Sequence, residues 1–186
     1  MTAPTTETAP IPGYQEATWT IDPVHSEVGF SVRHMMVSKV RGRFTKFSGE
    51  IVTAASLADS TVTAEIDLSS IDTGTQQRDD HIRSADFFEV EKYPTMTYAS
   101  TGIKVEDGEY ILVGELTLKG VTREVPLKLE FNGFGPDAYG GYRAGFTATG
   151  ELNRSDFGVS FNAPVAGGVM VSEKVALQLE IEAVRA

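Results

Sequence analysis

The sequence predicts an all-β domain: an antiparallel barrel of about eight strands, with a short helical lid inserted around residues 75–90. Three observations point there. Period-2 alternation of apolar and polar residues runs through most of the chain from Ala17 onward. No strand–helix–strand alternation is present, which argues against a parallel α/β sheet. The alternation lapses in one long stretch, Ile71 to Tyr98, that carries helix signals instead. Antiparallel strands with one wet face close well into a barrel, because closure removes the edges. A two-sheet sandwich is the competing architecture, since the same pattern supports it.

Taken in order, residues 1–16 form a Thr-, Ala- and Pro-rich tail expected to be disordered, and residues 17–186 form a single domain. Ala17, Trp19 and Ile21 alternate with threonines. Val28, Phe30 and Val32 alternate with polar residues and glycine. His34 to Val37 (HMMV) interrupts the pattern and reads as a turn of helix or a crossing bend. Val40, Gly42 and Phe44 resume it. Phe47, Gly49 and Ile51 continue out of step, so a bulge is expected near Thr45–Lys46. Val62, Ala64, Ile66 and Leu68 share one face of the clearest strand.

The lid segment follows. Thr75 is placed to N-cap a short helix, with its hydroxyl taking an orphan N–H. Asp79 and Arg83 are four apart and expected to pair on its exposed side. Ile82, Phe87 and Phe88 should face the rest of the protein, and Tyr93-Pro94 ends the excursion. Met96, Tyr98 and Ser100 begin the return, and then Ile103 and Val105. Asp107-Gly108 signals a hairpin. Tyr110 to Leu118 is a long strand, and Gly120 begins a turn. Val125, Leu127, Leu129 and Phe131 face one way. A loop spans Gly133–Gly141, and Tyr142, Ala144, Phe146 and Ala148 alternate after it. Leu152 to Glu173 is irregular, and within it Arg154–Gly158 reads as a structured loop with Arg154 and Asp156 as hydrogen-bonding anchors. Val175, Leu177, Leu179 and Ile181 form the last strand.

Composition narrows the function classes. The 186 residues carry a net charge of −10 and a pI of about 4.7. That balance argues against a nucleic-acid partner, where neutralising phosphates with Lys and Arg dominates affinity. It also argues against broad docking on anionic lipid. With no cysteine, disulfide and thiol chemistry are excluded. No stretch approaches the roughly 18 apolar residues of a membrane span, so stable membrane insertion is not expected. The N-terminus has neither basic n-region nor apolar h-region, which makes cytoplasmic residence the expectation.

A barrel of this size is either filled by its own side chains or holds one small ligand. The inward set mixes large residues (Phe30, Phe44, Leu112, Phe146, Leu177) with small ones (Gly42, Gly49, Ala64, Gly114, Ala144, Ala148). The small residues either leave volume or interleave with large ones in a filled taper. Pattern alone leaves both open. A hollow barrel would be lined by apolar groups and would suit a long apolar chain.

Five blocks carry a family resemblance: Trp19–Ile51, Ser69–Gly74 (SSIDTG), Arg78–Thr101, Gly114–Val125 (GELTLKGVTREV) and Asn153–Val159 (NRSDFGV). Each is weak alone; all five occur in order, from about Trp19 to the end. The chain resembles the YceI-like family, described as polyisoprenoid-binding, lipocalin-like barrels. The resemblance implies an apolar tunnel holding an isoprenoid tail, with the head group near a mouth. The tunnel residues would be Phe30, Val32, Phe44, Ala64, Ile66, Met96, Tyr98, Leu112, Gly114, Leu116, Leu127, Leu129, Phe146, Leu177 and Leu179. Many resembling proteins are periplasmic or secreted, and some are dimers, so a homodimer stays open here.

His34, Arg78 and His81 are the candidates to meet a phosphate or quinone-like head. The alternative is that they hold turns and the lid in place. His25, His34 and His81 are spaced by nine and 47 residues, which matches no local metal-ligand motif, so no metal site and no cofactor are assigned. Neither a GxSxG elbow nor a His25-Ser26 dyad supports nucleophilic catalysis, because neighbouring strand residues point to opposite faces. The reading is a non-enzymatic carrier, store or sequestering protein for a prenyl chain or isoprenoid quinone. The alternatives are an enzyme acting on a prenyl substrate through His34, Arg78, Asp79 and His81, and a filled-barrel interaction module.

Overall fold

The computed structural model describes residues 10–165 and 168–186. The strands are β1 (Ala17–Ile21), β2 (Glu27–His34), β3 (Ser38–Phe44), β4 (Phe47–Thr53), β5 (Thr61–Asp67) and β6 (Ile71–Asp72). After the helix α1 (Gln76–Arg83) come β7 (Thr95–Glu106), β8 (Glu109–Leu118), β9 (Val121–Glu124), β10 (Leu127–Pro136) and β11 (Tyr142–Asn153). A short hairpin, β12 (Pro164–Val165) with β13 (Gly168–Val169), precedes β14 (Val171–Arg185).

Pairing is antiparallel around a ring, β1–β4–β5–β7–β8–β10–β11–β14, and β14 returns to β1 with Trp19 opposite Arg185 and Ile21 opposite Ala183. That last pairing makes the architecture a closed eight-stranded barrel, not a sandwich. It depends on the 15 residues of β14. One edge of β14 follows β11, while the other pairs first with β2 and then with β1. β2, β3 and β6 extend the wall at one end, where α1 also lies.

Local chemistry accounts for the corners. Asp107-Gly108 and Lys119-Gly120 both sit at positive φ between directly paired residues, as two-residue hairpins require. Met35 and Met36 also have positive φ, at 51° and 62°. The HMMV segment is therefore a β-hairpin turn, closed by Val37 N–H donating to the His34 carbonyl, and not a turn of helix. The phase slip at Thr45–Lys46 is a corner: β3 pairs with β2, and β4 with β1 and β5. A bulge between Ser100 and Gly102 explains the parity change before Ile103. Pro126, which lacks an N–H for the ladder, separates β9 from β10 where one strand had been expected. The Gly133–Gly141 loop is shorter than expected, because β10 continues to Pro136.

The base of the barrel is plugged by aromatics. Trp19 is fully buried, its indole N–H donates to Thr53 Oγ1 at 2.8 Å, and its ring meets those of Phe134 and Tyr142. Tyr14 stacks edge-on against Phe134 and donates to the Ala54 carbonyl, while Tyr142 donates to the Gly13 carbonyl. Gly13 and Tyr14, which fall in the expected tail, thus contact the barrel. Residues 1–9 of that tail lie outside the described residues. Among the described residues no helix is long and apolar enough to cross a membrane.

Candidate functional site

The barrel is hollow. A cavity of about 370 Å³ lies along its interior. Toward the base it is lined by Leu57, Val62, Ile103 and Leu112. In the middle lie Phe30, Ala64, Ile66, Met96, Tyr98, Leu116, Leu127, Leu129, Phe146, Ala148 and Leu179. Under the helix lie Val32, Phe44, Ile82, Phe87, Phe88 and Leu177, and at the end of the β2–β3 hairpin Val40, Phe161, Met170 and Val171.

Every expected tunnel residue except Gly114 is on this surface. The Tyr98 ring lies over Gly114, in the space that a side chain there would occupy. Gly42 is covered by Phe30 and Gly49 by Ile21 in the same way. These glycines are seats for neighbouring side chains. The residues that do leave space are Ala64 and Ala148, which line the cavity directly.

The lid is built differently from its expected capping. Thr75 occupies the N-cap position but makes no side-chain cap. The buried carboxylate of Asp79 instead accepts from the Thr73 backbone N–H and hydroxyl, and so ties the helix to the segment before it. Asp79 therefore does not pair with Arg83. Arg83 meets Asp80 at 2.9 Å and donates to the carbonyls of Ser69 and Ile71, which fastens the helix to the barrel wall. Ile82, Phe87 and Phe88 turn inward as expected, Phe88 meeting Phe44 and Phe87 meeting Phe161.

No carboxylate is among the ionisable groups of the described residues that line the cavity. His34, Arg78, His81 and Arg154 contribute to it, together with the phenol of Tyr98; among the described residues no Asp, Glu or Lys does. All four cationic or imidazole groups lie at the lid end. Arg154 is nearly fully buried and saturated, donating to the carbonyls of Val159, Phe161, Val171 and Ser172. Burial lowers its affinity for its proton. His81 is held by Asp86 at 2.8 Å and sits edge-on to Phe87 and Phe161. Arg78 donates through Nε and one Nη to Thr73, while its other Nη has no partner and the guanidinium no carboxylate among the described residues. Tyr98 donates to the Val125 carbonyl, and burial pushes its phenol far up.

Sequence reasoning missed Phe161 and Met170, while Arg154 is the hydrogen-bonding anchor it was expected to be. They come from the irregular stretch after β11, where no periodicity reveals direction. It also missed a cluster at the base, where Asp22, His25 and Glu182 converge. Arg143 already bridges those carboxylates, at 2.9 Å from Asp22 and 3.3 Å from Glu182, so an internal cation balances them.

The YceI-like domain matches residues 19–183. A UPF0312 protein of Photorhabdus laumondii is 39% identical over 162 residues, which is 87% of this chain and 82% of that protein. The crystal structure of the Campylobacter jejuni YceI protein superposes with a TM-score of 0.71 at 30% identity, covering 89% of this chain and 96% of that one. A polyisoprenoid-binding domain from Saccharophagus degradans shares the fold at TM-score 0.66 and 18% identity, over 92% of this chain and all of that one. The match across nearly the whole barrel places this chain in the YceI-like family.

Proposed function

We propose that the protein binds a long-chain polyisoprenoid lipid, a prenyl chain or an isoprenoid quinone, and carries, stores or sequesters it without chemical change. The observation that carries the proposal is the apolar cavity under the lid. Its volume lies within the roughly 300–1,000 Å³ typical of ligand sites. A resident apolar chain removes this lining from water. At about 0.8 kcal/mol per carbon, each five-carbon isoprene unit gains roughly 3–4 kcal/mol gross. The Saccharophagus degradans domain of the same fold is described as polyisoprenoid-binding, which supports the same class of cargo.

The lid end suits an oxygen-bearing head. The free Nη of Arg78 offers a donor to a phosphate or quinone oxygen, His34 lines the same cavity, and among the described residues no carboxylate on the cavity surface opposes them. An enzymatic reading is weakly supported, because Asp79 and His81 are already engaged in holding the lid. The test is extraction of the purified protein into organic solvent, for wild type and for Ala148→Trp. Prenyl lipid from wild type and little from the variant supports the proposal; equal amounts from both contradict it.

A further inference from the structure

The β2–β3 hairpin departs from the rest of the chain in two ways. Its tip exposes three consecutive apolar residues, Met35, Met36 and Val37, at 44%, 53% and 83% exposure. The first two hold positive φ, where Asn and Gly are the residues normally used. A turn that only had to close the hairpin has no reason to place methionines there. The second departure is charge. From Val28 to Gly49 there are five Lys or Arg and no Asp or Glu. The full chain has 16 basic and 26 acidic residues, so the remainder holds 11 against 26, a net of −15 outside a segment of +5.

The hairpin register puts those cations on one face. Arg33 is directly opposite Lys39, Ser31 opposite Arg41 and Gly29 opposite Arg43, while Val32, Val40 and Phe30 point inward. Arg33 and Lys39 form the first outward rung behind the tip. Arg41 follows about 7 Å further back at the normal strand rise. None of these three forms an ion pair among the described residues. Arg43 meets Asp72 only at 3.5 Å, and Glu173, on the adjoining strand, faces Arg154 at 3.8 Å.

We infer that this hairpin is a docking element for an anionic phospholipid bilayer. Met35, Met36 and Val37 enter the interface, and Arg33, Lys39 and Arg41 lie at phosphate level. An interfacial element buries its apolar part about 5–10 Å deep, which brings both outward rungs within reach of the head groups. The tip also borders the cavity. His34 and Val40 line it, and Met35 N–H donates at 2.8 Å to the carbonyl of Met170, another lining residue. Docking by this tip turns the lid end of the cavity toward the bilayer. The overall negative charge then orients the molecule, since only this face is attracted. The link between docking and cargo rests on the proposed lipid binding; the docking itself does not.

The test is flotation of the full chain with vesicles of phosphatidylcholine alone and of equal phosphatidylcholine and phosphatidylglycerol. Wild type should float with the anionic vesicles only. Arg33→Gln, Lys39→Gln and Arg41→Gln together should lower partitioning about a hundredfold, at about fivefold per charge removed. Met35→Asn with Met36→Gly should abolish flotation while keeping or raising thermal stability, because that pair favours the turn. Extraction of both variants reads cargo separately, so a protein that docks but carries no lipid is told from one that carries lipid but does not dock. Failure of wild type to float, equal flotation with neutral vesicles, or flotation of the Asn-Gly variant would overturn the inference.

Discussion

The phenol end of Tyr98 occupies the space that a side chain at Gly114 would take, with its hydroxyl anchored to the Val125 carbonyl at 2.9 Å. The anchor prevents the ring from yielding, because moving it would strand a buried hydroxyl and a carbonyl. Gly114→Ala should therefore destabilise the barrel by about 1–3 kcal/mol, the usual range for overpacking. Tyr98→Phe should lose about 1 kcal/mol through the missing hydrogen bond. Combining them should be less than additive, since a ring without its hydroxyl can move aside. Urea denaturation of the three variants checks this, and strict additivity would count against the coupling.

Ala64 and Ala148, in contrast, border empty space. Ala64→Trp and Ala148→Trp should fold with a loss no greater than about 1–3 kcal/mol and retain little lipid. Comparing extracted lipid per mole of folded protein with wild type separates blocked loading from unfolding. Full loading in a folded Ala148→Trp would show that the chain lies elsewhere.

Arg154 holds the irregular stretch against the barrel through four carbonyls. Its removal takes this donor from the Val159, Phe161 and Ser172 carbonyls, while the Val171 carbonyl keeps the Asn162 amide. Arg154→Met should cost about 3–5 kcal/mol, the range for breaking a buried charged network. Arg154→Lys should recover only part, since an ammonium cannot match the planar fork. Thermal unfolding of both variants is the check, and a neutral Met variant would contradict the assignment.

At the base, hydrogen bonds from Arg143 and His25 hold the Asp22 carboxyl far below the usual carboxylate range. Backbone N–H groups of Tyr139 and Gly141, with Arg143, lower that of Asp137. A depressed folded pKa stabilises the protein above the unfolded value of about 3.9, and that contribution falls away as pH drops from there through the folded value. Arg143→Gln raises both folded values, so it should lower stability at neutral pH and flatten the acid limb. Melting temperatures between pH 7 and pH 3 test this; wild-type and variant curves that stay parallel would refute it.

Much of the barrel was legible because its strands have one wet face. Ala17–Ile21, Thr61–Asp67 and the turn at Asp107-Gly108 follow directly from alternation and turn chemistry. Closure was less legible, because it depends on β14 reaching both β1 and β2, a pairing between distant chain ends. The capping of the lid was misread for a related reason. Asp79 lies within reach of Arg83 along the helix, but the fold buries it against Thr73. Glycines at inward positions were ambiguous, since spacing does not tell whether a neighbouring ring fills them. Phe161 and Met170 gave no signal, because side chains in irregular backbone have no period.

Native mass spectrometry of the purified chain, before and after extraction and after incubation with a long-chain prenyl quinone, tests the central claim most directly. The account predicts a discrete added mass that extracts as prenyl lipid, returns on incubation, and raises the melting temperature over the emptied protein. A protein that stays at its bare mass throughout, with a melting temperature the quinone does not move, would contradict it.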